Sequence, residues 1–196
     1  MNLSLVSRSS KSRYELNRQK ILLHICCAPC ATASIERLKE NYDVVGMFSN
    51  SNIYPEGEYL KRLEEARKYC RKIEIKLIEI NYNYKNWLEQ IKGLEKEPEG
   101  GKRCLKCYKI RLEEAAKEAK KRNFDYFTTT LTISPYKNFA EIKEIGDNLG
   151  KQYGVEFLDI DFKKKDGFRK SVELSKKNRL YRQHYCGCEF SINKHI

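Results

Sequence analysis

The sequence of 196 residues has no run of about 18 apolar residues, the length a membrane-spanning helix needs. Its first twenty residues mix Ser, Arg, Lys and Asn without an apolar stretch, so neither a membrane span nor a secretion signal is expected, and the cytosol is the expected compartment. No internal repeat or low-complexity tract appears. Acid is scarce: 27 Asp and Glu stand against 39 Lys and Arg, a net charge of +12 with a pI near 9.2. That excess goes beyond what solubility requires and suits a polyanionic partner, nucleic acid first. A Lys-rich solvated surface is the plainer reading of the same numbers.

What is abundant is thiol. Eight cysteines in a reducing compartment point to metal ligands or redox groups rather than structural disulfides. The 34% of charged residues, rich in Lys and Glu, also matches heat-adapted proteins, some of which keep intracellular disulfides, so paired cysteines stay open. Length and 40% hydrophobic content fit one sizeable core. Residues 1–18 read as a basic N-terminal arm, and 19–196 as a single α/β catalytic domain that includes a basic, cysteine-bearing C-terminal tail.

The organising stretch is HICCAPC, His24 to Cys30. Ile21 to Ile25 are apolar apart from one His, Pro29 suits a first helical turn, and Ala33, Ile35 and Leu38 carry helical spacing. A strand feeding a helix is the first half of a βαβ unit, and ligands of open α/β sheets bind beyond the carboxyl ends of the strands, where a helix N-terminus favours anions and thiolates. Further strands are expected at Asp43–Ser49, Ile75–Ile80, Asp125–Leu131 and Val155–Ile160. Helices are expected at Glu58–Lys72 (Tyr59, Leu60, Leu63, Ala66 and Cys70 on one face), Tyr84–Ile91, Cys104–Arg122 and Phe139–Tyr153. The whole reads as a Rossmann-like parallel sheet flanked by helices. Lone Cys70 reads as a packed thiol, and Trp87 as core.

Seven cysteines form three groups: Cys26, Cys27 and Cys30; Cys104 and Cys107; Cys186 and Cys188. Strand-to-helix loops of a parallel sheet emerge on one edge, so remote groups can converge there. Soft sulfur ligands select zinc, copper(I) or iron–sulfur clusters, and seven exceed one tetrahedral ion. Adjacent Cys26 and Cys27 point apart when extended, which suits two neighbouring centres, for example a four-iron cluster plus a second metal or a redox thiol pair. Two other readings remain. Cys104, Cys107, Cys186 and Cys188 fit a zinc staple for a tRNA-binding protein, and CAPC after a strand has the form of a thioredoxin-like dithiol.

HICCAPC, NIYPEGEYLKR, EPEGGKRCLKC, FDYFTTTLTISPYKN, DFKKKDG and YRQHYCGC, in that order from about Lys20 to Ser191, resemble the QueH family, the epoxyqueuosine reductases unrelated to the cobalamin-dependent enzymes of the same activity. The resemblance implies a fold similar to the adenine nucleotide alpha hydrolases. It also implies reduction of the epoxide of epoxyqueuosine at the tRNA wobble position to queuosine, the last step of queuosine biosynthesis, with a 4Fe-4S cluster and a nearby second metal, iron being the expectation. ATP-using relatives of that fold carry a glycine and serine loop after the first strand; here cysteines stand in that place. The family often has Asp two residues before CGC, where this chain has His184.

Candidate cluster ligands are Cys26, Cys27, Cys104 and Cys107, with Cys186 and Cys188 completing the metal set; how they divide stays open. Removing an epoxide oxygen takes two electrons and two protons, so an external electron donor, a Lewis-acidic metal on the oxygen and a proton source are expected. Asp161, at the end of the fifth strand, is the candidate acid, with a cap or a Lys partner as its other role; His184, Tyr108 and Cys30 are further catalytic candidates. Thr129, Thr130 and Thr132 either donate hydrogen bonds into the site or fill the strand. Lys163, Lys164, Lys165, Lys170, Arg179 and Arg182 are expected at tRNA phosphates, and Tyr181 or Tyr185 against a splayed base.

Overall fold

The computed structural model describes residues 18–194. Positions 1–17 of the expected N-terminal arm lie outside them; Arg18 itself donates to the carbonyls of Lys39 and Glu40.

Five parallel strands lie in the order β3-β2-β1-β4-β5: β1 Lys20–His24, β2 Asp43–Phe48, β3 Leu77–Glu79, β4 Tyr126–Thr129 and β5 Glu156–Phe157. Helices α1 Ala28–Lys39, α2 Glu56–Lys72, α3 Tyr84–Gln90, α4 Lys102–Lys121, α5 Phe139–Tyr153 and α6 Gly167–Lys177 complete the fold. β1 reads as a continuous apolar run because both faces of the sheet are covered. Ile21, Leu23 and Ile25 pack towards α1 and α2, whereas Leu22 packs towards α4 and α5 with Met47 and Phe127. The order reverses between β1 and β4, so the crevice beyond their carboxyl ends is the topological switch point of the sheet.

Several expected elements end early for identifiable reasons. β4 stops at Thr129, whose hydroxyl accepts from the Leu131 amide and starts a 3-10 turn over Thr130–Ile133. The strand expected over Val155–Ile160 shrinks to two residues, because β4 itself ends at Thr129 and the Leu158 and Ile160 carbonyls accept from the Thr128 and Thr132 hydroxyls in place of main-chain donors. Leu60, expected on the inner face of α2, is 54% exposed, while Tyr59, Leu63, Ala66 and Cys70 are buried as the spacing requires. Trp87 is buried, as expected of a core residue.

Helix α6 lies within the stretch that the sequence presents as a basic tail. It buries Gly167, Ser171 and Ser175 at four-residue spacing and packs against α1, whose own buried set includes Ala31, Thr32, Ala33 and Ser34. Small residues on both sides let the two backbones approach, and they leave no apolar stripe in the sequence. The same device seats α5 on the sheet: a Cβ on Gly146 would fall 2.3 Å from the Phe157 ring, and one on Gly150 would fall 2.8 Å from the Val155 carbonyl oxygen.

A matched pair of substitutions tests this contact. Gly146→Ala is expected to lower unfolding stability by about 1–3 kcal/mol, because overpacking against the Phe157 ring outweighs the helix-propensity gain. Gly57→Ala in α2, where a Cβ meets nothing within 4 Å, is expected to be neutral or stabilising by up to ~1 kcal/mol. Urea denaturation of both variants reads the difference.

Candidate metal centre at the switch point

β1 ends at His24, paired in register with Thr129 of β4. The His24 ring is buried, its Nε2 bonded to the Ser49 carbonyl at 3.2 Å and its Nδ1 to the Thr129 hydroxyl at 2.8 Å. A carbonyl can only accept, so Nε2 carries the proton and Nδ1 accepts from Thr129. Burial, aided by the charge of Arg111, pushes its pKa down to about 3, so the ring is neutral and works as a spacer that locks three strand ends together.

The chain then turns from strand to helix over Ile25 to Cys27, and the turn gathers its thiols. The sulfurs of Cys26, Cys27 and Cys30 all lie within 4.8 Å of one another, the only such trio of His, Cys, Asp or Glu groups among the described residues. Cys26 and Cys27, expected to point apart, have sulfurs 3.8 Å apart: Cys27 is the extended residue that caps α1, and the bend at the helix start turns both inward. Thr130 holds Cys26 twice, accepting from its amide at 3.0 Å and donating to its sulfur at 3.2 Å, and Gln183 donates to the Cys27 sulfur at 3.0 Å.

Hydrogen bonds from Cys27 and Cys30, with the Arg111 charge and the Thr130 hydroxyl also contributing, hold the Cys26 thiol well below the ordinary thiol range against its burial. Burial pushes Cys27 up to about 12, and hydrogen bonding to Cys26 and Cys27 pushes Cys30 well up. Of the three sulfurs, Cys26 is thus the one biased towards its thiolate, while Cys27 and Cys30 are biased towards the thiol.

Two adjoining spaces meet here. The larger, about 330 Å³, is lined by Cys26, Cys30, Cys186, Arg111, Lys137 and His184 among others. The smaller is lined by Cys104, Cys107, Cys186, Cys188, Tyr108 and Trp87. All three thiol groups thus reach one region, with Cys186 common to both spaces. The four thiols of the second space, the alternative zinc set, have no three sulfurs within 4.8 Å of one another. All eight cysteines are free.

The C-terminal thiols are delivered by Arg62 of α2. It is paired with Glu58 at 2.7 Å and donates to the carbonyls of Tyr185 and Cys186. Gly187 between the thiols has φ +137°, and a Cβ there would stand 3.1–3.3 Å from Ile53, Arg62 and Asn52, so the CGC turn requires glycine. Cys104 sits in the first turn of α4, as expected, and takes a hydrogen bond from the Gly100 amide at 3.3 Å.

Other candidates are distributed unevenly. Asp161 lines neither space; its carboxylate accepts from the Lys163 amide and pairs with Lys163 Nζ at 3.5 Å, so it takes the turn-capping, lysine-paired role. Tyr108 borders the smaller space, and His184 is exposed at the larger. Of the threonines only Thr130 reaches a thiol; Thr129 holds His24 and Thr132 holds the Ile160 carbonyl. Lys163 is tied to Asp161 and to the Lys137 carbonyl, while Lys164, Lys165, Lys170 and Arg179 are exposed and Arg182 donates to Ser175.

Tyr181 and Tyr185 are already engaged, the first by Glu58 and Lys61, the second by the Tyr54 carbonyl and Arg62. The exposed rings at the cavity are instead Tyr136, 81% exposed, and Phe168, 38% exposed. Sequence reasoning missed Lys137, Arg111, Arg62 and Gln183. The spacing of Cys104, Cys107 and Arg111 on one face of α4 was the available signal for one of them.

Thr130→Val keeps the shape but strands the Cys26 amide. It is expected to cost about 1–3 kcal/mol in urea denaturation of the metal-free chain, whereas Thr130→Ser stays near wild type.

Comparison with known proteins follows the same geometry. Residues 21–194 match the family described as "Epoxyqueuosine reductase QueH". A protein of that name from Streptococcus pyogenes serotype M1 is 41% identical over 180 residues, covering 89% of this chain and 71% of that one. Its Staphylococcus epidermidis counterpart is 39% identical over 204 residues, covering 99% of this chain and 86% of that one. Among solved structures, the U34-tRNA thiolase NcsA from Methanococcus maripaludis with its [4Fe-4S] cluster superposes with a TM-score of 0.54 at 13% identity, covering 94% of this chain and 65% of the thiolase. That likeness shows the fold, a parallel sheet flanked by helices. No helix among the described residues is long and apolar enough to cross a membrane. With residues 21–194 matched by the family and relatives of that name about 40% identical over nearly its whole length, this chain belongs to the epoxyqueuosine reductase QueH family.

Proposed function

We propose that this chain reduces the epoxide of epoxyqueuosine in tRNA to the alkene of queuosine, with a 4Fe-4S cluster held at Cys26, Cys27 and Cys30. The observation that carries the reading is the thiol trio at the switch point, opening onto a cavity of about 330 Å³ in a chain of this family. The donor set fits: three soft thiols at mutual ligand spacing, half-buried to buried, supply three of the four protein ligands such a cluster ordinarily takes. Cys30, a catalytic candidate by sequence, becomes the third ligand. When bound, the cluster supplies electrons one at a time, drawn from an external donor. A second ion fits less well, since the thiols of the smaller space do not converge, and no step is assigned to it.

The balance is two electrons and two protons in, one water out and one alkene formed. The chain's own groups handle binding and protons. Lys137 lines the cavity, and although burial opposes its charge, the charges of Cys186, Tyr108, Cys26 and Cys30 hold its pKa above the ordinary lysine value. Its ammonium is a hydrogen-bond donor for the departing oxygen, and His184 at the rim is the route for protons from solvent. Tyr136 and Phe168 offer ring faces to the unstacked wobble base or its neighbour, and exposed Lys164 and Lys165 meet backbone phosphates.

Two experiments test this. After anaerobic purification, wild type is expected to contain iron and acid-labile sulfide, and Cys26→Ala, Cys27→Ala and Cys30→Ala each to lose most of both; incubated with epoxyqueuosine tRNA and a chemical reductant, wild type yields nucleosides lighter by one oxygen in mass spectrometry. One zinc with no sulfide, or tRNA of unchanged mass, would overturn the reading. Separately, Lys164→Glu with Lys165→Glu is expected to weaken tRNA binding about tenfold or more at moderate salt and to flatten its salt dependence. Unchanged mobility shifts would leave those lysines a solvated face.

A further inference from the structure

Arg111 is a buried cation without a buried acid. It is 3% exposed, one guanidinium nitrogen donates to Asn50 Oδ1, its Nε has no partner, and no carboxylate pairs with it among the described residues. The two other deeply buried arginines are better satisfied, although the Nε of Arg103 is also unpartnered. Arg62 is paired with Glu58, and Arg103 is capped by the carbonyls of Leu94, Glu95 and Glu97. A guanidinium cannot shed its charge by losing a proton, and an isolated buried charge is costly, so Arg111 needs an anion close by.

Sulfurs lead the groups that favour its charge, followed by the Tyr108 hydroxyl, and Glu99 and Lys137 line the same cavity. Arg111 shares one face of α4 with Cys104 and Cys107 and lines the larger cavity with Cys26 and Cys186. Burial opposes its charge, while Cys107, Cys26 and Cys186 favour it. Asn50, its one hydrogen-bond partner, is fixed by donating to the Ile25 carbonyl at the end of β1. The guanidinium is thereby built into the strand turn that gathers the trio.

We propose that Arg111 is a positioning residue that supplies the permanent counter-charge of the cluster held at Cys26, Cys27 and Cys30, favouring both its assembly and its one-electron reduction. The proposal rests on the cluster assignment of the preceding section. A fixed positive charge stabilises the more negative of two oxidation states, and adding one electron from the donor makes the cluster more negative by one. Arg111 therefore raises the reduction potential.

Wild type, Arg111→Lys, Arg111→Met and Asn50→Asp are reconstituted anaerobically with iron and sulfide, assayed for iron per chain, and titrated with dithionite while electron paramagnetic resonance reports the reduced cluster. Arg111→Lys is expected to load and titrate near wild type. Arg111→Met is expected to load less iron and to show a reduced-to-oxidised ratio lower by about tenfold at the same poise, a shift of about 59 mV for one electron. Asn50→Asp keeps Arg111 and gives it a carboxylate, at the cost of the donation to the Ile25 carbonyl, and the same downward shift is expected in protein shown folded by circular dichroism; this variant decides where Arg111→Met has not folded.

A potential unmoved in a folded, loaded Arg111→Met or in Asn50→Asp overturns the proposal, as does an equal shift in Arg111→Lys and Arg111→Met. Folded Lys and Met variants that both fail to load iron overturn it too, since lysine meets a pure charge requirement. Wild type without iron or sulfide instead sinks the cluster assignment, whereas loaded wild type with unmoved variants sinks only the role of Arg111.

Discussion

The parallel register of β1 and β4 is the constraint on which the rest depends. Because His24 stands opposite Thr129, the turns that follow the two strands emerge side by side, and Thr130 meets both the amide and the sulfur of Cys26. A slip of one residue would turn each of these side chains to the other face of the sheet. The neutral His24 ring ties the same register to the end of β2 through Ser49. Backbone pairing thus sets the sulfur geometry, and the helix that starts at Ala28 adds a positive dipole end to it.

The thiols distant in sequence are held by polar clamps as well as by packing, Cys107 and Cys188 against Trp87 and Ile91 and Cys104 within the core under α4. Arg62 takes the carbonyls of Tyr185 and Cys186, the Tyr54 amide donates to the Gly187 carbonyl, and Arg103 gathers the loop ahead of α4. Each clamp is a guanidinium or amide donating to main-chain carbonyls, which leaves the sulfurs free to face inward. Three buried arginines around one region also account for part of the basic composition, so the surplus charge is not all surface.

The sheet and most helices were legible because apolar spacing reported them: Ile21 to Leu23 as a buried strand, Phe139–Tyr153 as a helix with matching bounds. Helix α6 was not, since its buried positions are Gly167, Ser171 and Ser175, which carry no hydropathy signal. Topology pointed to the meeting of the first two thiol groups, which stand where helices begin, whereas the third is brought in by the clamp on Arg62. The division of the thiols was not legible, because alternation along an extended chain sends Cys26 and Cys27 apart, whereas the strand-to-helix bend brings their sulfurs together. For Asp161 the sequence offered both an acid at the sheet edge and a cap or lysine partner, and the three-dimensional path places Lys163 against its carboxylate. Lys137 was hidden in a turn where a lysine is unremarkable.

The wall of the larger cavity formed by Arg182 to Cys186 follows every strand of the sheet in the chain. The trio and its threonine brace are built from residues up to Thr130, and the clamp of Tyr185 and Cys186 onto Arg62 sets that wall over them. The chamber is thus assembled from two remote pieces, a sulfur-bearing floor laid by the strand turns and a lid-side wall that a main-chain clamp holds in place.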